Sequence, residues 1–226
     1  MARDHAPWER QRQQLERKQG RRASYDRILI VCEGSKTEPL YFNEIRIAYR
    51  LHSAHVQVRP SELGTSPLQV VQYAQSLFQD GDRHKGIRPR AFDQIFAVFD
   101  RDAHDTYLEA LKEAEKLNRK LRNDERQVVQ FHAVASVPSF ELWLLLHFEE
   151  IHAPLRRDEV MQRLKRHLPA YAKGSRETFE ITRQRQAEAI QRAQRLATRF
   201  TAYTEPEPYT GIVDLVKRLI TLRTTP

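Results

Sequence analysis

Ile28–Leu29–Ile30–Val31–Cys32–Glu33–Gly34 and Ile95–Phe96–Ala97–Val98–Phe99–Asp100–Arg101–Asp102 are the two stretches whose reading decides the fold. Each is an unbroken apolar run ending in carboxylate. A run of this length without alternation fits a strand buried on both faces, which is how central strands of a parallel sheet look. The first run ends in one acid and a glycine, the second in two acids spaced i, i+2. In open α/β sheets, chemistry collects beyond the carboxyl ends of the strands. Three carboxylates at two such ends, Glu33, Asp100 and Asp102, are the hard oxygen donors that Mg²⁺ prefers, with Mn²⁺ able to take its place.

Working outward, the pattern alternates. A helix is expected from about Glu38 to Arg50, with Leu40, Tyr41, Ile45, Ile47 and Ala48 inward. A second strand is expected over His55–Arg59. Pro67 suits the first turn of a helix running to about Gln79. After a charged loop over 80–93 and the second apolar run comes a helix over Thr106–Leu121, with Leu108, Leu111, Ala114 and Leu117 on one stripe. Val128–Val134 reads as a further strand. This β-α-β-α-β-α-β order implies a mostly parallel sheet flanked by helices. Beyond Pro138 helices dominate: Ser139–Phe148, Arg157–Leu168, Phe179–Arg199 and Ile212–Leu222. The expected organisation is a basic polar arm over 1–26, an α/β core over 27–137 and a helical section over 138–226 packed on the core.

The chain of 226 residues is 40% hydrophobic and 30% charged, so it supports a core under a heavily charged surface. It contains no apolar run of about 18 residues, so no membrane span is expected. An apolar leader is missing from the first residues, so no secretory signal is expected. A single cysteine, Cys32, lies inside an expected strand and fits a reduced cytosol, hence a cytoplasmic location. The net charge of +8 is unevenly spread. Residues 1–27 carry eight Lys/Arg against four Asp/Glu, and residues 156–200 carry twelve against five, leaving the remainder net acidic. Basic flanks around an acidic, metal-neutralised centre are the charge plan of a nucleic-acid enzyme; an Arg-rich solvated surface is the alternative.

Gly34–Ser35–Lys36–Thr37 after a strand invites a P-loop reading. That motif needs a contiguous Gly-Lys pair and a second glycine upstream, and both are missing. Asp100 and Asp102 point to the same side if extended geometry persists, and a divalent cation relieves their repulsion. Alternatively Asp102 or Asp105 caps the following helix. Phe140, Trp143, Leu144 and Phe148 share a helical face. Glu141 within that apolar segment either meets the acidic cluster as a further ligand or proton shuttle, or faces solvent or an arginine. His147 reads as a core histidine. Lys36, and Lys173 in the loop Tyr171–Gly174, are candidates for holding phosphate. Arg185, Arg192 and Arg199 repeat every seven residues, and a shared basic face would track a phosphate backbone. The nine histidines show no zinc spacing, and nothing marks Tyr25, Tyr41 or Tyr49 as a covalent nucleophile.

Glu33–Gly34 and Asp100–Arg101–Asp102 resemble the motifs of the Toprim domain, which has a catalytic glutamate and glycine after its first strand and an Asp-x-Asp after a later one. A closer resemblance is carried by Val31–Cys–Glu–Gly–Ser–Lys–Thr–Glu–Pro–Leu–Tyr–Phe42, Ser136–Val–Pro–Ser–Phe–Glu–Leu–Trp–Leu–Leu–Leu–His–Phe148 and Tyr171–Ala–Lys–Gly174. These look like the RloB family, from about residue 27 onward. That resemblance implies a Toprim-type nuclease encoded near prokaryotic restriction or abortive-infection genes. The expectation is then a Mg²⁺-dependent phosphodiesterase acting on RNA or DNA, with Glu33, Asp100 and Asp102 as ligands. Lys36 and Glu141 assist, and Lys173, Arg185, Arg192 and Arg199 hold nucleic acid. It leaves open a partner protein from the same locus and a homodimer. A nucleic-acid-binding accessory protein with a degenerate site, or nucleotidyl transfer, is the alternative.

Overall fold

The structure is a computed structural model that describes residues 26–101, 105–204 and 208–222. The expected arm over 1–26 lies outside the described residues except for Asp26. So does Asp102.

Five strands form one sheet in the order β2-β1-β3-β4-β5. The first four, β1 (Ile28–Cys32), β2 (Val56–Pro60), β3 (Gln94–Asp100) and β4 (Gln130–Val137), run parallel; β5 (Tyr209–Thr210) closes one edge antiparallel. Every residue of β1 and β3 is buried, as two-sided coverage of central parallel strands demands. The alternation of strand side chains separates two apolar layers. Ile28, Ile30, Cys32, Phe96 and Val98 face one, Leu29, Val31, Ile95, Ala97 and Phe99 the other.

The first layer is covered by α1 (Thr37–Ala48) and by the chain after Pro138. That stretch comprises α4 (Glu141–Leu145), α5 (Arg157–His167), α6 (Thr178–Thr182), α7 (Gln186–Ala197) and α8 (Ile212–Thr221). The second layer is covered by α2 (Pro67–Asp80) and α3 (Tyr107–Leu117). The C-terminal section is therefore the second half of the coat on one sheet face, and through β5 it also supplies a strand that the helix-only expectation omitted. Tyr209–Thr210 is short and carries no alternation to read; β5 forms because Val137 and Ser136 offer it an open edge.

Helix starts follow local chemistry. At α2, Ser66 and Gln69 form a capping box and Pro67 takes the first turn, as the sequence indicates. Glu44 of α1 reaches across to accept the backbone N–H groups of Glu177 and Phe179 at 2.6 and 2.7 Å, satisfying the orphan donors at the start of α6. Two inward faces differ from expectation. Ile47 is 68% exposed, and Phe42 takes the core position instead. Leu108 is 40% exposed, because Tyr107 and Ala110 turn the stripe of α3 by one residue. The aromatic ring at 107 buries more apolar surface than a leucine would, so packing sets the rotation.

Candidate functional site

Crossover geometry places the site. From β1 the chain moves through α1 to β2, then returns through α2 past β1 to β3, so the connections diverge on either side of the β1/β3 pair. This is a topological switch point, where a crevice opens at the carboxyl ends of the strands. Glu33 leaves β1 there and Asp100 ends β3. The two meet: the backbone N–H of Asp100 donates to Glu33 Oε2 at 2.9 Å.

A cleft of about 270 Å³ at this edge is lined by Glu33, Gly34, Ser35, Lys36, Thr37, Glu38, Thr65, Asp100, Glu141, Arg157 and Lys173. Five residues singled out from the sequence, Glu33, Lys36, Asp100, Glu141 and Lys173, thus converge although up to 140 positions separate them. Three elements bring the carboxylates. Glu33 and Glu38 flank the β1–α1 turn, Asp100 comes from β3, and Glu141 opens α4. Burial is deep, with Glu38 7%, Asp100 6% and Glu141 2% exposed.

Each carboxylate is held. Glu141 accepts from the Ser139 hydroxyl at 2.7 Å and from the Tyr171 hydroxyl at 3.3 Å. Its position inside the apolar segment of α4 is therefore a fixed inward orientation and not a solvent contact. Arg157, the first residue of α5, brings its guanidinium to 3.8 Å from the Asp100 carboxylate. Gly34 lets Glu38 fold back over the turn, because a Cβ there would run into the Glu38 carboxylate. The loop carrying Lys173 docks through the Gly174 N–H, which donates to Thr37 Oγ1 at 3.0 Å. Gly174 has a φ of +81°, and its missing Cβ admits the Lys36 stem, which would otherwise lie 3.0 Å from it.

Electrostatics follow from this crowding. Burial first, then the carboxylates of Glu38, Glu33 and Glu141, push the Asp100 carboxyl well above its ordinary range; Arg157 opposes them. Burial first, then Glu141 and Glu33, push Glu38 up to about 7, with Lys173 pulling the other way. Carboxylates crowded and buried in this way form a site whose chemistry calls for a cation. The donors are all oxygen, which fits Mg²⁺ or Mn²⁺ and not a soft metal. Among the described residues, no three acidic, histidine or cysteine side chains are grouped closely enough to cage an ion by themselves.

Sequence patterning alone does not single out Glu38 or Arg157. Glu38 reads as an ordinary first-turn acid of α1, and its only signal is a position five residues after Glu33. Arg157 is one of twelve basic residues in its segment, and only the docking of α5 distinguishes it.

The arginines of the series each meet a neighbouring group. The segment breaks into α6, a 3₁₀ turn over Arg183–Arg185 and α7, so Arg185 precedes α7 and Arg199 follows it. Arg192 donates to the Leu146 carbonyl at 2.8 Å and so closes the end of α4. Arg185 lies over the Phe148 ring and Arg199 over the Phe200 ring, 5.3 and 4.8 Å from the centroids. His147 is a core residue whose Nδ1 lies 3.0 Å from the Trp143 carbonyl, and burial lowers its pKa to about 4.

Compared with known proteins, the family model described as RloB-like protein matches residues 28–219, which covers most of the chain and every described residue of the cleft. No curated protein and no solved structure matches.

Proposed function

Because the chain belongs to the RloB-like family, we propose that it is a metal-dependent nuclease that hydrolyses phosphodiester bonds of RNA or DNA, as the Toprim resemblance implies. The observation that carries this reading is the convergence of four carboxylates with two lysines and an arginine in one cleft at the switch point. Glu33, Asp100 and Asp102 would hold Mg²⁺ or Mn²⁺, with Glu38 and Glu141 completing the negative wall. A divalent ion held there supplies Lewis-acid activation of water and neutralises charge on the leaving oxygen.

The remaining work falls to the chain itself. Lys36 and Lys173, which both line the cleft, hold the phosphate being cut. Ser139 and Tyr171 fix the Glu141 carboxylate, so that wall is set before substrate arrives. The Asp100 N–H fixes Glu33. Arg157, 3.8 Å from the Asp100 carboxylate and on the cleft wall, would give the phosphate a third cationic contact. By the same family resemblance, the protein acts in the cytoplasm in antiviral defence, with a partner from its own locus.

The Arg157–Asp100 pair favours one second reading, that of an accessory protein binding nucleic acid without cutting it, in which arginine permanently replaces the ion. Purified protein incubated with labelled tRNA, single-stranded DNA and plasmid, each with Mg²⁺, Mn²⁺ or EDTA, separates the two. Metal-dependent cleavage that Asp100→Asn abolishes supports the nuclease. Binding without cleavage under every metal supports the accessory protein.

A further inference from the structure

We propose that the opposite pole of the sheet carries a second phosphate-binding surface, built by the α2–β3 and α3–β4 loops, that seats a nucleic-acid duplex. This goes beyond the proposed hydrolysis and does not depend on it. The loops span residues 81–93 and 118–129 and lead into the amino ends of β3 and β4, which are neighbours in register from Gln94 and Gln130, while the turn over 82–87 folds back along β2, where the Lys85 carbonyl accepts from Arg59 at 2.9 Å. Seven residues of β3 at about 3.3 Å each put this pole roughly 20 Å from the cleft.

The loops are laced into one surface. The Asp124 N–H donates to the Arg90 carbonyl at 2.8 Å, the Gln130 N–H to the Asp93 carbonyl at 3.0 Å, and the Asn123 side chain to Asp93 Oδ1 at 2.6 Å. Together they hold eight Lys/Arg against four Asp/Glu. Those acids are already occupied. Arg27 is shared between Asp93 and Asp124 and approaches Glu125, while Lys85 is shared between Asp82 and Glu62. The two loops keep a net positive balance. Arg83, Arg88, Arg90, Arg119, Arg122 and Arg126 are all exposed, and none takes part in a side-chain hydrogen bond or ion pair among the described residues.

Backbone conformation gives a second, independent sign. Arg90, Arg119 and Arg126 have φ of 56°, 61° and 63°. A left-handed conformation costs an L-residue roughly 1 kcal/mol, and glycine or asparagine meets it more easily. Three arginines at such positions on one surface are poor choices for turn geometry, so their side chains have a use. Fixed turns also aim the guanidinium groups outward from a rigid base. The partner's chemistry follows from what surrounds them. The loops expose no Phe, Tyr or Trp, so there is no platform for splayed bases. Arginines without such a platform fit a phosphate backbone whose bases are stacked inward, which is a duplex. Duplex DNA and duplex RNA share that chemistry.

The test is fluorescence anisotropy of the full chain with labelled duplex DNA, duplex RNA and single-stranded DNA of equal length, about two helical turns. EDTA is present throughout, and salt is titrated. The pole variant combines Arg83→Gln, Arg88→Gln and Arg122→Gln with Arg90→Asn, Arg119→Asn and Arg126→Asn. Wild type should bind at least one duplex, and the variant should bind it at least tenfold more weakly. Its log–log salt slope should be shallower by several units, at about 0.9 for each phosphate that is no longer neutralised. Should the combined variant melt at a lower temperature, the three Asn changes alone serve, because asparagine tolerates these backbones. An unchanged affinity and slope, absence of duplex binding by wild type, or single-strand binding that is tighter and indifferent to the pole each overturns the inference. None of these outcomes bears on cleavage with Mg²⁺, so the nuclease reading fails or stands separately.

Discussion

Replacing Glu38 by glutamine should make the metal-free protein more stable at pH 8 and leave it unchanged near pH 4.5. Glu38 sits 7% exposed among Glu33, Asp100 and Glu141. Its carboxyl is pushed from 4.5 to about 7, first by burial and then by its acidic neighbours. An acid whose folded pKa lies above its unfolded value favours the native state while protonated. That contribution is complete below the unfolded value and is lost as pH rises through the folded one, so the window is pH 4.5 to 7. At 1.36 kcal/mol per unit, the ionised side chain costs about 3 kcal/mol at pH 8. For a chain of this size that corresponds to roughly 6–12 °C in Tm. Glutamine keeps the shape and removes the charge. Asp100 is shifted in the same direction, so the wild type loses more than Glu38 alone accounts for. The difference between wild type and variant isolates the Glu38 share. The assay is thermal melting followed by circular dichroism in EDTA between pH 4.5 and 8.5. A Tm difference that is the same at both ends of that range would refute the reasoning, because it would mean Glu38 titrates as a solvated acid and the carboxylates do not act on one another.

Asp100→Asn should abolish hydrolysis, keep or raise the metal-free Tm because it removes a buried charge, and lose the Mg²⁺-induced shift in Tm; a variant that keeps both activity and shift removes Asp100 from the site. Gly34→Ala should lower metal-dependent cleavage at least tenfold with little change in nucleic-acid affinity, because the new methyl displaces the Glu38 carboxylate; cleavage rates and anisotropy measured side by side check this. Arg192→Met should lower stability by about 1–3 kcal/mol in urea titrations by leaving the Leu146 carbonyl without its partner, while duplex affinity stays within about twofold. Trp143→Phe should cost about 1–3 kcal/mol in the same assay, because its indole N–H donates to the Tyr41 hydroxyl at 2.8 Å and ties α4 to α1.

The amino-acid order alone determined the parallel sheet, since unbroken apolar runs at 28–32 and 95–99 have no other comfortable place than between two coats of helix. It also determined that Glu33 and Asp100 share an edge, because in a parallel sheet every strand ends on the same side. Lys36, Glu141 and Lys173 are recognisable as residue types out of place in their surroundings: a lysine beside a strand-end acid, a carboxylate in an apolar helix and a lysine in a proline-led loop. What only the tertiary structure decided is which charges meet. Glu38 turns inward because Gly34 leaves room for it, and Arg157 reaches Asp100 because α5 packs beside α4. Two arginines of the seven-residue repeat are drawn to the end of α4, Arg192 to the Leu146 carbonyl and Arg185 over the Phe148 ring. At the basic pole, Asp93 and Asp124 are met in space by Arg27, which comes from 66 and 97 positions away. Periodicity and strand polarity are local properties and travel with the chain. Charge compensation depends on distances of a few ångströms between residues far apart in sequence, and those exist only after folding.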